Sequence, residues 1–391
     1  MLNIPLMQGN IEKKDIEELV TFLQTTDRFT NGPKVREFEK AWSNWLSPSE
    51  PMYSLFVNSG ASANFMTLAA VRELYGEGEV LVSPIGWSSD ISSIFAAGLT
   101  PVFVDINRHT LAMDTEQALS KITDRTRAVL LTHVLGYNGL TPELVKVCRE
   151  KEIPLIEDVC ESHGALFQNQ KCGSIGTISN FSFYYAHHMS TIEGGMICTK
   201  DERLYRTLRM YRSHGMLREC DDAVYQKEMT EHFPELHAEF IFMVPGYNMR
   251  STELNAVIGL SQLKRLDRNI QRRRENYHLF MELLDQDKFY TDFSNEGNSN
   301  YAFVIVLRQA DPALFRRLTD RLTAEGVEFR RGTAGGGNLI RQPFVSKRMA
   351  GLCAADYPNA EYIHKFGLYT GNYPGLEPEK IRALCELLNT V

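Results

Sequence analysis

The sequence lacks any apolar run that approaches the roughly 18 residues needed to cross a bilayer. Its N-terminus also has neither a basic segment nor the apolar core of a secretory signal, so we expect a cytoplasmic protein with no membrane partner. Positive charge is not in excess, because 42 Lys and Arg stand against 49 Asp and Glu, for a net charge of −7. Without a basic stripe to meet a phosphate backbone, nucleic acid is not an expected partner.

Cysteine is sparse and dispersed. The seven cysteines include no pair with the two-residue spacing of a zinc or redox motif, so we interpret them as reduced structural thiols and expect no metal site. Biased composition is absent as well. With 43% hydrophobic residues, 27 Gly and 15 Pro in 391 residues, the chain is an ordinary globular one, long enough for two domains.

Short apolar runs alternate with helical stretches from about residue 55 to about residue 200. This alternation is typical of parallel strands joined by crossover helices, and it predicts an α/β domain over residues 1–250. The strand candidates are residues 80–84, 101–105, 128–132, 155–158, 181–185 and 195–199, with helices expected over 141–151 and 201–213.

A different pattern follows in residues 251–391. Residues 250–286 indicate one long or broken helix, and a strand, a helix and a strand after about residue 300 predict a smaller α+β domain. Residues 219–242 show little periodicity, so we expect a long surface loop of the kind that forms a lid or a subunit contact.

Two segments and one tryptophan could form a ligand site. Residues 57–64 form a Gly/Ser turn that enters a helix, whose free amides can bind an anion, although these residues could serve only as a helix cap. The strand 155–158 ends in a group of acidic residues that includes Asp158, at the edge where α/β proteins bind ligands; a solvated loop is the alternative. Trp87 also follows a strand and could stack on a ring or fill the core.

The most specific segment is residues 181–195, which reads Phe-Ser-Phe-Tyr-Tyr-Ala-His-His-Met-Ser-Thr-Ile-Glu-Gly-Gly. Taken in order with Phe29–Pro33, Ser59-Gly60, Glu157-Asp158 and Pro245–Asn248, it resembles the nucleotide-sugar aminotransferases over essentially the whole chain. These are pyridoxal-phosphate (PLP) enzymes of fold type I. The resemblance implies a mainly parallel seven-stranded sheet in the larger domain.

One position departs from that family. The residue five positions after Ser182 is normally the Schiff-base lysine, and here it is His187, which cannot form a Schiff base but can move a proton. The chain is therefore similar to the Lys-to-His branch that removes a sugar hydroxyl, above all the GDP-4-keto-6-deoxymannose 3-dehydratases of colitose biosynthesis. A second His-bearing branch uses an iron–sulfur cluster and a reductase. Its Cys-x-Cys group is missing here, so we expect neither.

The resemblance implies roles for individual residues. His187 is the expected catalytic residue, the cofactor alternates between PLP and pyridoxamine phosphate (PMP), and L-glutamate is the amino donor. The implied cofactor-binding residues are Gly60, Ala61, Trp87, Asp158, Glu161, Ser182 and Asn248, the last reaching across from the second subunit of a homodimer. The substrate-binding candidates are Phe29, Thr30, His214, Arg218 and Arg330. His188 lies beside the lysine position and is expected to pack against the site.

The sequence leaves alternatives open. The nucleotide could be CDP, UDP or dTDP instead of GDP. The chain could be an aminotransferase that uses a displaced lysine such as Lys200, or a catalytically silent homologue that binds the cofactor. The regions expected to contact the substrate, residues 29–32, 212–218 and 330–338, only partly resemble the colitose enzyme, and the run Gly335–Gly337 is unusual.

Overall fold

The computed structural model describes all 391 residues. Its strands are β1 Tyr53–Val57, β2 Glu79–Val82, β3 Thr100–Phe103, β4 Thr126–Thr132, β5 Leu155–Asp158, β6 Leu166–Phe167, β7 Gln170–Lys171, β8 Ile178–Ser182, β9 Gly195–Thr199, β10 Ala302–Val306, β11 Phe329–Arg331 and β12 Gly367–Gly371. Its α-helices are α1 Lys13–Thr25, α2 Pro33–Leu46, α3 Gly60–Tyr75, α4 Ser88–Ala96, α5 Thr115–Lys121, α6 Pro142–Glu150, α7 Glu202–Arg212, α8 Ala223–His232, α9 Glu253–Leu263, α10 Leu266–Leu283, α11 Pro312–Ala324, α12 Pro343–Ser346, α13 Pro358–Phe366 and α14 Pro378–Asn389. None of the helices is both long and apolar enough to span a membrane.

The central element is a seven-stranded sheet in the order β1-β9-β8-β5-β4-β2-β3. Only β9 runs in the direction opposite to the other six strands, so the prediction of a mainly parallel seven-stranded α/β sheet is confirmed. Most strand residues are buried, as expected for a sheet that helices cover on both faces. The carboxyl ends of β5 and β8 place Asp158 and Ser182 on the same edge of the sheet.

A smaller antiparallel sheet, in the order β10-β12-β11, forms the core of the C-terminal part. The predicted long helix is broken at Lys264–Arg265: α9 packs against α1 and α2, whereas α10 packs against α14 and β10. The N-terminal arm reaches this part of the molecule, where Ile4 forms a bridge with Val327. A domain boundary at residue 250 stays a prediction.

The expectation of a long loop over residues 219–242 was wrong, because the segment contains α8. No residue of α8 is fully buried, and only Tyr225 and Met229 pack against the core, so the apolar face is too small for periodicity to reveal. The available signal was Asp222, whose side chain accepts the amide of Tyr225 and caps the helix. The strand expected over 181–185 also ends earlier, at Ser182.

Candidate active site

A cavity of about 310 Å³ lies at the carboxyl ends of β5 and β8, where α3 begins. Several candidate residues from distant parts of the sequence meet there. The predicted residues that line it are Gly60, Ala61, Trp87, Asp158, Glu161, Ser182, His187 and Arg330.

One end of the cavity is suited to an anion. The side chain of Ser59 caps α3 by accepting the amide of Ser62 at 3.0 Å, which leaves the amides of Gly60 and Ala61 without an intrahelical partner. A Cβ on Gly60 would stand 2.5 Å from the Cβ of Ser182, so only glycine lets α3 approach this strand end so closely. Two free amides, the positive end of a 16-residue helix and a hydroxyl meet here.

Asp158 provides a carboxylate at the bottom of the cavity. Its Oδ2 accepts a hydrogen bond of 2.9 Å from Asn64 Nδ2, and its Oδ1 accepts one of 2.9 Å from the amide of Cys160. These two donors fix the carboxylate in place. It can therefore stabilise a positive charge that enters the cavity.

Glu161 lies on the neighbouring wall, and its Oε2 accepts the amide of Leu135 at 3.0 Å. Burial raises the pKa of Glu161 to about 7, against the smaller opposing effect of that amide. The carboxyl group therefore holds a proton over much of the neutral range and can act as a hydrogen-bond donor.

His187 lies in a turn just after β8, closed by a 3.0 Å hydrogen bond from its amide to the carbonyl of Tyr184. Burial, and secondarily the charge of Arg273, lower the pKa of His187 to about 3. The imidazole is therefore neutral at physiological pH and carries a lone pair that can accept a proton. It lines the cavity together with Ser182, which lies five positions earlier in the sequence.

No lysine lines the cavity. Lys200 follows β9 at the end of the sheet opposite to Asp158, and its Nζ lies 2.5 Å from Glu50 Oε2 at the surface. This position excludes Lys200 as a displaced Schiff-base residue. His188 is buried and its Nε2 donates to the carbonyl of Ser299 at 3.1 Å, so it packs beside the site as expected.

The Gly335–Gly337 run positions the wall that carries Trp87. A Cβ on Gly335 would stand 2.3 Å from the carbonyl oxygen of Gly86, and the amide of Leu339 donates to the carbonyl of Pro84 at 2.8 Å. The C-terminal part therefore docks backbone to backbone against the loop just before Trp87. The indole is 49% exposed, so it is a wall of the cavity and does not fill the core.

The remaining candidates lie outside the cavity of a single chain. Phe29 and Thr30 precede α2 and are exposed. His214 has a left-handed backbone (φ 62°) and follows Ser213, which forms a bridge with Asn248. Arg218 lies 3.7 Å from Glu239, and its guanidinium stacks over Phe240. The roles of these residues stay predictions.

The structure adds cavity residues that the motifs did not identify, chiefly Tyr301 and Ser89. Tyr301 comes from the chain just before β10, and burial raises its pKa well above the ordinary value, so the phenol stays protonated. No sequence motif marks these side chains, because each is a single polar or aromatic residue.

His133, Glu157 and Cys172 form a buried group that has the composition of a metal site. The Nδ1 of His133 accepts the amide of Gly139 at 3.1 Å, so its Nε2 is the nitrogen that donates to Glu157. Glu157 also accepts the amides of residues 173, 175 and 176. The ring nitrogens of His133 and the carboxylate oxygens of Glu157 are thus already engaged in hydrogen bonds. The group anchors the loop after β7.

Comparison with known proteins gives consistent matches. The sequence profile of the DegT/DnrJ/EryC1/StrS aminotransferase family matches residues 10–389. The chain is 32% identical to GDP-4-keto-6-deoxy-D-mannose 3-dehydratase of Yersinia pseudotuberculosis over 396 aligned positions, which cover 99% of this chain and 98% of that protein.

Solved structures agree with this match. The Escherichia coli GDP-4-keto-6-deoxy-D-mannose 3-dehydratase with bound hydrated PLP superimposes with a TM-score of 0.87 at 30% identity, covering 99% of this chain and all of that one. A GDP-4-keto-6-deoxymannose 3-dehydratase with a trapped PLP–glutamate geminal diamine gives a TM-score of 0.86, also at 30% identity and with coverage of 99% and 100%. The fold is therefore that of the fold type I PLP enzymes.

Proposed function

The chain belongs to the DegT/DnrJ/EryC1/StrS aminotransferase family, and within it we propose that this protein is a PLP-dependent 3-dehydratase of a nucleotide-linked 4-keto-6-deoxyhexose, GDP-4-keto-6-deoxymannose. The observation that carries the proposal is the neutral His187 in a cavity that no lysine lines. An aminotransferase of this fold needs a lysine amine at that place. A dehydratase needs only a group that moves a proton.

The cavity residues fit the cofactor. The free amides of Gly60 and Ala61, together with the Ser182 hydroxyl, suit its phosphate, and the cradle depends on the missing side chain of Gly60. Asp158 suits the protonated ring nitrogen, and Trp87 suits the face of the ring.

The remaining chemistry is divided between the cofactor and the protein. As PMP, the cofactor supplies the amino group that condenses with the C4 ketone and the electron pair that allows the C3–O bond to break. His187 accepts the proton from C4′ of the cofactor and delivers it to the departing C3 hydroxyl. In its protonated form, Glu161 would donate a hydrogen bond to the hydroxyl oxygen of the cofactor ring. The net change would remove the C3 oxygen of the sugar and release the cofactor's amino group as ammonia, leaving a 4-keto-3,6-dideoxy sugar without the help of a reductase.

Substrate choice follows from charge and from the relatives. Arg330 is the one Lys or Arg residue that lines the cavity, and we assign it to an anionic group of the substrate. The dehydratase from Y. pseudotuberculosis is named for a GDP-sugar, and a related structure holds glutamate joined to PLP, which supports GDP as the nucleotide and L-glutamate as the amino donor. We propose that the reaction leads to colitose. We also propose that the protein works in the cytoplasm.

We assign a homodimer as the working unit. Asn248 is exposed and lies outside its own chain's cavity, and Phe240, Phe242 and the 60%-exposed Tyr247 leave apolar surface open nearby. Such a patch is suited to a second copy, which would bring Asn248 of the partner subunit to the phosphate. Mixing Asn248→Ala with His187→Asn subunits tests this arrangement. Activity should return in the mixture, because one composite site keeps both residues, and no return would contradict it.

A substrate panel tests the proposed function. The protein, PLP and L-glutamate are incubated with GDP-, CDP-, UDP- and dTDP-linked 4-keto-6-deoxyhexoses, and the ammonia released per sugar consumed is measured. We expect one ammonia per sugar with the GDP substrate. Borohydride treatment of the PLP-loaded protein, followed by intact mass, should show no retained cofactor. A retained mass would instead indicate a lysine adduct and an aminotransferase.

A further inference from the structure

Asp90 is a second buried carboxyl group beside Asp158, and the proposed reaction does not use it. It is the third residue of α4 and is only 1% exposed. Its Oδ1 accepts a hydrogen bond of 2.9 Å from Asn64 Nδ2, and the same nitrogen donates to Asp158 Oδ2 at 2.9 Å. A single amide group therefore joins the two carboxyl groups.

The orientation of that amide is fixed. Asn64 Oδ1 accepts from Asn180 Nδ2 at 2.9 Å, and Asn180 Oδ1 in turn accepts from the hydroxyl of Thr67 at 2.7 Å. Since its oxygen is occupied, Asn64 must present its NH₂ group to both carboxyl groups. The network supplies hydrogen-bond donors but no positive charge.

No cationic side chain compensates the pair. Asp90 Oδ2 accepts the hydroxyl of Thr132 at 2.9 Å, and neither carboxyl group forms a hydrogen bond or ion pair with Lys, Arg or His. The titratable groups that face Asp90 are Asp158 and the thiol of Cys160, whose pKa is raised by burial. Two adjacent carboxyl groups without a cation do not both ionise, because each charge opposes the other.

The two groups differ in their access to the cavity. Asp158 lines it, whereas Asp90 lies behind, close to Gly86, where a Cβ would come within 2.6 Å of Asp90 Oδ2. Burial, and next the charge of Asp158, raise the pKa of Asp90 well above its usual range. The proton therefore resides on the carboxyl group that cannot reach the cavity.

We propose that Asp90 is a positioning residue: a neutral carboxylic acid that, through Asn64, holds Asp158 as the single ionised carboxylate below the cofactor ring. This inference rests on the proposed function only where it assigns Asp158 to the ring nitrogen. The pair presents one negative charge to the ring in a fixed position, and ionisation of Asp90 would add an uncompensated second charge.

Three variants test the proposal by PLP affinity, measured by absorbance titration without any sugar. Asp90→Asn keeps a neutral side chain of the same shape, so its dissociation constant should stay within about threefold of wild type. Asp90→Ala removes the partner of Asn64, and Asp158→Asn removes the charge, so both should weaken binding by about tenfold or more, the factor that corresponds to about 1.4 kcal/mol.

A second measurement, on the cofactor-free protein, follows stability against pH. A pKa raised in the folded state means that stability is lost as pH rises through that pKa. Wild type should therefore lose stability relative to Asp90→Asn as pH rises from the ordinary carboxyl range through the raised pKa of Asp90.

Two results would overturn the inference. If Asp90→Asn weakened PLP binding as much as Asp158→Asn, Asp90 would be acting as a charged group. If Asp90→Ala bound PLP like wild type, it would have no positioning role. Because neither titration contains a sugar, a failure of the proposed dehydratase activity would leave both readouts unchanged.

Discussion

The imidazole of His187 stacks on that of His163, with ring centroids 6.1 Å apart and planes inclined by 29°. His163 is itself buried against Trp42 and Phe183, with centroids at 5.6 Å in both cases. His187 therefore rests on a buried layer of rings. Its Nδ1 is buried without a hydrogen-bond partner, and the side chain lines the cavity.

Replacement of His187 by Asn should remove the group that moves the proton. We expect ammonia release in a single turnover with preformed PMP to fall by about 10²- to 10⁴-fold, the usual contribution of a general acid–base group. PLP affinity should stay close to wild type. The matched control is His232→Asn, an exposed histidine on α8. An unchanged turnover rate in His187→Asn would mean that another group carries the proton.

Arg330 and Arg331 are adjacent residues of β11 and point to opposite faces of the strand. Only Arg330 lines the cavity, so Arg330→Gln should raise KM for the nucleotide sugar by about ten- to a hundredfold, as expected for a lost hydrogen bond to a charged group. Arg331→Gln is the control and should leave KM unchanged. Equal effects of both substitutions on KM would contradict the assignment.

The docking of Gly335 against Gly86 predicts that Gly335→Ala displaces the loop before Trp87, because the new Cβ would meet the Gly86 carbonyl oxygen at 2.3 Å. PLP binding should weaken, and quenching of Trp fluorescence by PLP should decrease. Gly9→Ala adds the same methyl group where nothing lies within 4 Å, and it should bind PLP like wild type. If Gly335→Ala also bound PLP normally, this contact would not position the wall.

Glu161 predicts a pH dependence of stability in the cofactor-free protein. Burial raises its pKa from 4.5 to about 7, so the folded state holds the proton more tightly than the unfolded state. The contribution of Glu161 to the free energy of unfolding is fully present below about pH 4.5 and is lost as pH rises through about 7. The thermal unfolding temperature of wild type should therefore fall, relative to that of Glu161→Gln, between about pH 5 and about pH 8. Parallel curves for the two proteins would contradict a raised pKa.

Local spacing was sufficient to predict part of the site. Ser182 and His187 lie in one strand-to-turn segment, and Asp158 ends a neighbouring parallel strand, so the sheet brings all three to the same edge. The alternation of apolar runs and helices predicted the α/β sheet for the same reason, since buried parallel strands are continuously apolar.

Contacts made across long sequence separations could not be predicted. Tyr301 joins the cavity from the C-terminal part, and no motif marks it. Asp90 resembles an ordinary acidic residue in the first turn of a helix, and only the fold places it beside Asp158 through Asn64. Nothing in the sequence explains the Gly335–Gly337 run, because the explanation is the close approach of Gly335 to the carbonyl oxygen of Gly86, which only the fold brings about.

The most direct test is the mass of the sugar-nucleotide product formed from GDP-4-keto-6-deoxymannose by the wild-type protein with PLP and L-glutamate. The proposed use of His187 in place of lysine predicts a product lighter than the substrate by one oxygen atom, with one ammonia released for each sugar. A 4-amino sugar that retains its C3 hydroxyl would contradict the account and would identify the protein as an aminotransferase.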